Sequence, residues 1–79
     1  MDQKIAKMFG GKTLKGGTAK QKKWAEIIRS GKLQRISNAD DAVTVATYES
    51  AQWATWWIEH KDTNAETIAR NIKNVRESK

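Results

Sequence analysis

The sequence predicts a small all-α domain: three or four short helices around a tryptophan-rich core, preceded by a flexible basic arm rich in glycine and lysine. Three observations predict it. Two stretches, Thr18-Ala19-Lys20-Gln21 and Thr63-Asn64-Ala65-Glu66, fit the capping box that opens a helix. Apolar residues recur three and four positions apart after each of them. The chain has 79 residues with neither proline nor cysteine, so one small core must form without disulfides. Its four tryptophans, each able to bury roughly 150–250 Å², make such a core feasible in a polar chain.

Residues 1–16 read as the arm. Gly10, Gly11, Gly16 and Gly17 surround Lys12 and Lys15, and only a helical turn near Ile5 and Met8 is expected before them. Residues 17–79 read as the helical domain. Its first firm helix spans about 18–30, opened by Thr18 and closed by Gly31 as a C-cap, with Trp24, Ile27 and Ile28 on one face. Leu33 and Ile36 are expected to fold back over its end.

Residues 37–61 contain no glycine. Ser37, Asn38 and Asp40 offer caps for a second helix. Val43 and Val45 alternate with Thr44 and Ala46, which is also a strand pattern, but the surrounding alanines favour helix. From Ser50 onward Trp53, Trp56 and Trp57 form an apolar stripe that ends near His60. The last helix follows Thr63 and runs to about Arg76, with Ile68, Ile72 and Val75 inward. The expected core is Trp24, Ile27, Ile28, Trp53, Trp57, Ile68, Ile72 and Val75.

Charge is distributed unevenly. The net charge is +6, made of +8 over residues 1–36, −5 over 37–67 and +3 over 68–79. No acid occurs between Gln3 and Ala25. A basic first half points to a partner bearing phosphates or an acidic surface. The longest apolar runs are two or three residues, far below the roughly 18 that span a bilayer, so no membrane partner is expected. The N-terminus shows no apolar signal segment, and the lack of cysteine suits a reducing, cytoplasmic compartment.

Motifs for catalysis are weak. Gly11-Lys12-Thr13 matches the end of a P-loop, but Ala6 stands at the first glycine position and no strand precedes it. His60 is the only histidine, so no ordinary zinc site is expected, and its place near a helix end suits the helix dipole. Asp40 and Asp41 are explained by capping. The chain therefore reads as non-enzymatic, with neither cofactor nor metal. The most informative local feature is Gly16-Gly17-Thr18 leading into a helix start, where free N–H groups bind anions. Lys12, Lys15, Lys20, Lys22, Lys23 and Arg29 surround it as the candidate nucleic-acid or anion site. Trp56 falls at the margin of the tryptophan stripe. It is either part of a wide core face or a partner contact.

The run from Gly17 to Arg29 resembles the pattern G-[ST]-x-K-Q-x-x-W-A-x-x-I-R of small bacterial and phage proteins without assigned chemistry, and Trp56-Trp57-Ile58 resembles their second motif. Ala19 departs from an expected acid, and Glu59-His60-Lys61 from an expected Asp-Asn-Arg. The resemblance implies a phage or mobile-element setting. Two functions fit these readings. One is a module that binds nucleic acid or a nucleoprotein complex through the basic N-terminal third. The other is an inhibitor of a host defence complex, such as an anti-CRISPR protein, acting by protein–protein binding.

Overall fold

The computed structural model describes the backbone of residues 2–77 and the side chains of residues 5–75. Helices α1 (Asp2–Met8), α2 (Ala19–Arg35), α3 (Ala39–Thr47), α4 (Ala54–Glu59) and α5 (Ala65–Glu77) follow in order, with a 3-10 turn at Glu49–Gln52 between α3 and α4. Among the described residues there is no strand, only an isolated parallel bridge between Lys15 and Trp53. The domain is all-α, as the sequence predicts, and α2 is the central element on which α1, α4 and α5 lie. No helix is long and apolar enough to cross a membrane among the described residues.

Helix α2 opens as its sequence dictates. The Thr18 hydroxyl accepts from the Gln21 N–H at 3.1 Å, and the Gln21 side chain accepts from the Thr18 N–H at 2.9 Å, which completes the capping box. It does not stop at residue 30. Gly31 lies inside the helix, because it is not among the glycines with positive φ that a C-cap requires, and the chain turns out only at Ile36. Leu33 is thereby carried into the core as a helical residue.

The glycine-free stretch from residue 37 is not one helix. Asn38 caps α3 by accepting from the N–H groups of Asp40 and Asp41, at 2.8 and 3.2 Å, and the two acids suit the positive end of the helix. Residues 42–47 are helical, as the alanines imply. The chain then becomes extended at Tyr48 and again at Trp53. Gln52 explains the break. Its side-chain NH₂ donates to the carbonyls of Ala46 and Tyr48, at 2.6 and 2.9 Å, and so satisfies acceptors that α3 leaves free.

The last helix starts one residue later than the Thr63 capping box predicts. Asn64 accepts from the Glu66 N–H at 2.8 Å through its side chain, and from the Ile68 N–H at 2.9 Å through its carbonyl. Glu66 instead reaches Ser37, whose N–H donates to it at 3.3 Å. The side chain of Arg76, near which the last helix is expected to end, lies outside the described residues.

The core is rich in alanine, with Ala25, Ala42, Ala46, Ala51, Ala54 and Ala69 all buried, so the short helices approach one another closely. Trp57 fills the centre with its indole N–H donating to the Ala51 carbonyl at 2.6 Å. Ile68 and Ile72 are buried as expected, and Ile28 is partly buried. Four other expected core residues are not: Trp24, Ile27, Trp53 and Val75 are 47, 52, 45 and 47% exposed. The reason differs by element. Trp24 and Ile27 lie on the side of α2 away from Ala25, Arg29 and Leu33, which face inward. Trp53 sits on the extended break before α4, so its four-residue spacing from Trp57 no longer places both on one helix face. Val75 lies in the last turns of α5, which outruns the shorter α3 it packs on.

Residues 5–15, expected as part of a flexible arm, contribute to this core. Ala6 and Leu14 are buried, and Ile5 and Phe9 pack partly against the cluster. These apolar residues lie between the lysines and glycines that dominate the composition.

Candidate nucleic-acid interface

The basic end of the molecule is built where the chain enters α2. Residues 12–15 cross the body in an extended path that two core residues hold. The Gln52 side chain accepts from the Lys12 N–H at 2.9 Å. The Arg29 guanidinium donates to the Lys12 carbonyl at 2.7 Å. Lys15 is then fixed on both sides of its backbone, donating to the Gln52 carbonyl at 2.9 Å and accepting from the Ala54 N–H at 3.0 Å.

Gly16 and Gly17 turn the chain into the helix with φ of 79° and 74°, a region side chains disfavour. At Gly16 there is a second constraint. A Cβ there would stand 2.8 Å from the Trp53 ring, so only glycine lets the indole lie across the loop. The Lys15 ammonium sits over that ring, 5.1 Å from its centroid. Trp53 is therefore an indole half open to solvent, with the Lys15 ammonium over its ring and the Gly16 backbone close against its six-membered ring.

Of the residues singled out from sequence, Lys12, Lys15, Gly17, Thr18, Lys20, Lys22 and Lys23 are exposed and Gly16 is half-buried; Lys12 lies beside Arg29, away from the helix entrance. The first turn of α2 holds no acid to balance the positive end of the helix dipole. Like charge beside that end disfavours the helix, and the capping box offsets part of the cost.

Arg29 does not belong to this surface. It is fully buried and forms a two-pronged pair with Glu26, with Nη2 2.7 and 2.6 Å from the two carboxylate oxygens and Nε 3.1 Å from one of them. Its remaining reach goes to the Lys12 carbonyl, so it orders the loop that presents the lysines. The basic run groups it with the cations, whereas Glu26 three positions earlier is the sequence signal that it is paired.

Trp56 is part of an aromatic cluster on the core margin, in keeping with a wide core face. It is half-buried, packs edge-on to Trp57 and Tyr48 with centroids 4.8 and 6.1 Å apart, and stacks on His60 at 4.1 Å. His60 ends α4, with Nδ1 2.6 Å from the Trp56 carbonyl. Among the described residues no group of three or more His, Cys, Asp or Glu side chains gathers as metal ligands. Sequence reasoning missed Gln52, the residue that ties the basic loop to the body through side-chain and backbone bonds. A lone glutamine beside tryptophans carries no pattern that reveals it.

No protein-family model matches the chain, and no curated protein matches it either.

Proposed function

We propose that the protein is a non-enzymatic binding module that engages nucleic acid, free or within a nucleoprotein complex, through the entrance to α2. The observation that carries the reading is the exposure of Lys15, Lys20, Lys22 and Lys23 around that entrance with the half-exposed Trp53 under the Lys15 ammonium, Lys12 being exposed farther along the loop. Lysines at a helix N-terminus offer charge and free N–H groups to phosphate. The exposed part of the Trp53 indole beside them adds aromatic surface for an unpaired base, where stacking is worth about 1–3 kcal/mol per base. Lysine ammonium groups lack the planar fork that reads base edges, so recognition is of backbone and base face, with weak sequence preference. A cytoplasmic, phage or mobile-element setting accords with the lack of cysteine and with the motif resemblance of the run from Gly17 to Arg29.

Fluorescence anisotropy with a labelled single-stranded oligonucleotide across a salt series tests the reading. Each phosphate contact contributes about 0.7 to the log–log slope on single strands. The double variant Lys20→Glu/Lys23→Glu should keep its fold and lose at least half of that slope. Trp53→Ala should weaken single-strand binding more than duplex binding. Affinity that ignores salt, or a double variant that binds as the parent does, overturns the reading.

A further inference from the structure

The outward face of α2 holds a feature that the basic entrance does not use. Ile27, Ile28, Gly31, Lys32, Arg35 and Lys61 line an open groove of about 170 Å³. Its floor is apolar: Ile27 is half exposed, Ile28 partly so, and Trp24 extends the same stripe one turn earlier at four-residue spacing from Ile28. Its rim is cationic. Lys32 donates to the Thr63 carbonyl, and Lys61 has Asp62 at 3.5 Å as its acidic neighbour.

Gly31 is the informative residue. It lies inside a helix, where glycine is weaker than alanine. It has no positive φ, and a Cβ added to it would meet nothing within 4 Å. Nothing within the described fold therefore requires glycine at this position. Its effect is to leave the groove floor bare, so that another chain can approach the helix backbone.

We infer that this groove docks an acidic, amphipathic protein segment, with one or two large apolar side chains seated on Ile27, Ile28 and Gly31 and its carboxylates facing Lys32, Arg35 and Lys61. Charge complementarity selects this occupant: the lining includes Lys32, Arg35 and Lys61 and no acidic residue. The apolar floor argues against a phosphate backbone, which has nothing to bury on two isoleucines. An amphipathic helix laid in a groove presents its apolar side chains at the three- and four-residue spacing such a floor accepts.

The test uses the full chain and a labelled helical peptide of about four turns, leucine on one face and glutamate elsewhere. A counterpart with lysine in place of glutamate is the control. The acidic peptide should bind at least about tenfold tighter than the lysine peptide, with the gap closing as salt rises. Gly31→Leu puts an apolar side chain on the floor, with its Cβ meeting no atom within 4 Å. It should melt no lower than the parent and bind the acidic peptide at least about tenfold more weakly. Trp53→Ala should leave peptide binding unchanged, which separates this groove from the basic entrance. Equal binding of both peptides, no binding of the acidic one, or parental binding by Gly31→Leu overturns the inference. Self-association by sedimentation that Gly31→Leu abolishes would assign the groove to a second copy and overturn it. Oligonucleotide binding lost in Gly31→Leu would assign the groove to nucleic acid, with the same consequence.

Discussion

The two faces of α2 are inverted relative to their polarity. The inward face carries a charged pair, Glu26 and Arg29, both buried. The outward face carries Trp24 and Ile27, both about half exposed. Hydrophobicity alone would turn the helix round. What decides its orientation is the completeness of each set of contacts. Arg29 places its guanidinium on both oxygens of Glu26 and on the Lys12 carbonyl, and among the described residues no buried side-chain nitrogen or oxygen lacks a partner. The neighbouring Ala25, Leu33 and Ile36 complete an apolar stripe around that pair. The inward face is thus a folding device, and the outward one is a surface with apolar area left to cover.

The largest effect that could break this comparison is the loss of the buried cation. Arg29→Ala leaves Glu26 buried without its partner and frees the Lys12 carbonyl, and should cost about 3–5 kcal/mol in urea unfolding. That is a large part of the stability of so small a domain, about 5–15 kcal/mol for proteins generally. The paired change Glu26→Leu/Arg29→Met should recover part of the loss, since apolar replacement of both partners removes the unpaired charge. A harmless Arg29→Ala would mean that the pair does not set the orientation of α2.

Next in size is the helix entrance. Thr18→Ala removes the hydroxyl that accepts from Gln21 and should cost about 0.5–2 kcal/mol by thermal unfolding. Smaller, and of opposite sign, is the effect of Gly31→Ala. Its added methyl meets no atom, and it should stabilise the fold by about 0.5–1 kcal/mol. A destabilised Gly31→Ala would show that the glycine serves the fold after all.

Much of this architecture was legible in the sequence. Thr18 and Gln21 announced the start of α2 because a capping box is local chemistry, complete within four residues. Asn38 with two acids behind it marked α3 in the same way. Trp57, Ile68 and Ile72 were legible as core from spacing. Spacing also failed, and for a definite reason. A period of 3.6 identifies stripes on a helix without saying which one faces inward, and α2 has two candidates. The stripe of Trp24, Ile27 and Ile28 looked the more apolar. The stripe of Ala25, Arg29 and Leu33 became core because Glu26 and the distant Lys12 complete Arg29. The break at Tyr48 and Trp53 was hidden likewise, since Gln52 makes it by reaching backbone groups four and six residues back and forty residues away. For the candidate site, the lysines were legible from composition. The open indole of Trp53 was not, because it depends on the extended bridge to Lys15.

Urea unfolding of Ile27→Gln decides whether the apolar outward face of α2 is surface or core. A midpoint and slope close to the parent's are expected, a change within about 0.5 kcal/mol, because half-exposed surface positions away from caps and pairs contribute little. A loss of about 3 kcal/mol or more, matching that of Arg29→Ala, would place Ile27 in the core and contradict that expectation.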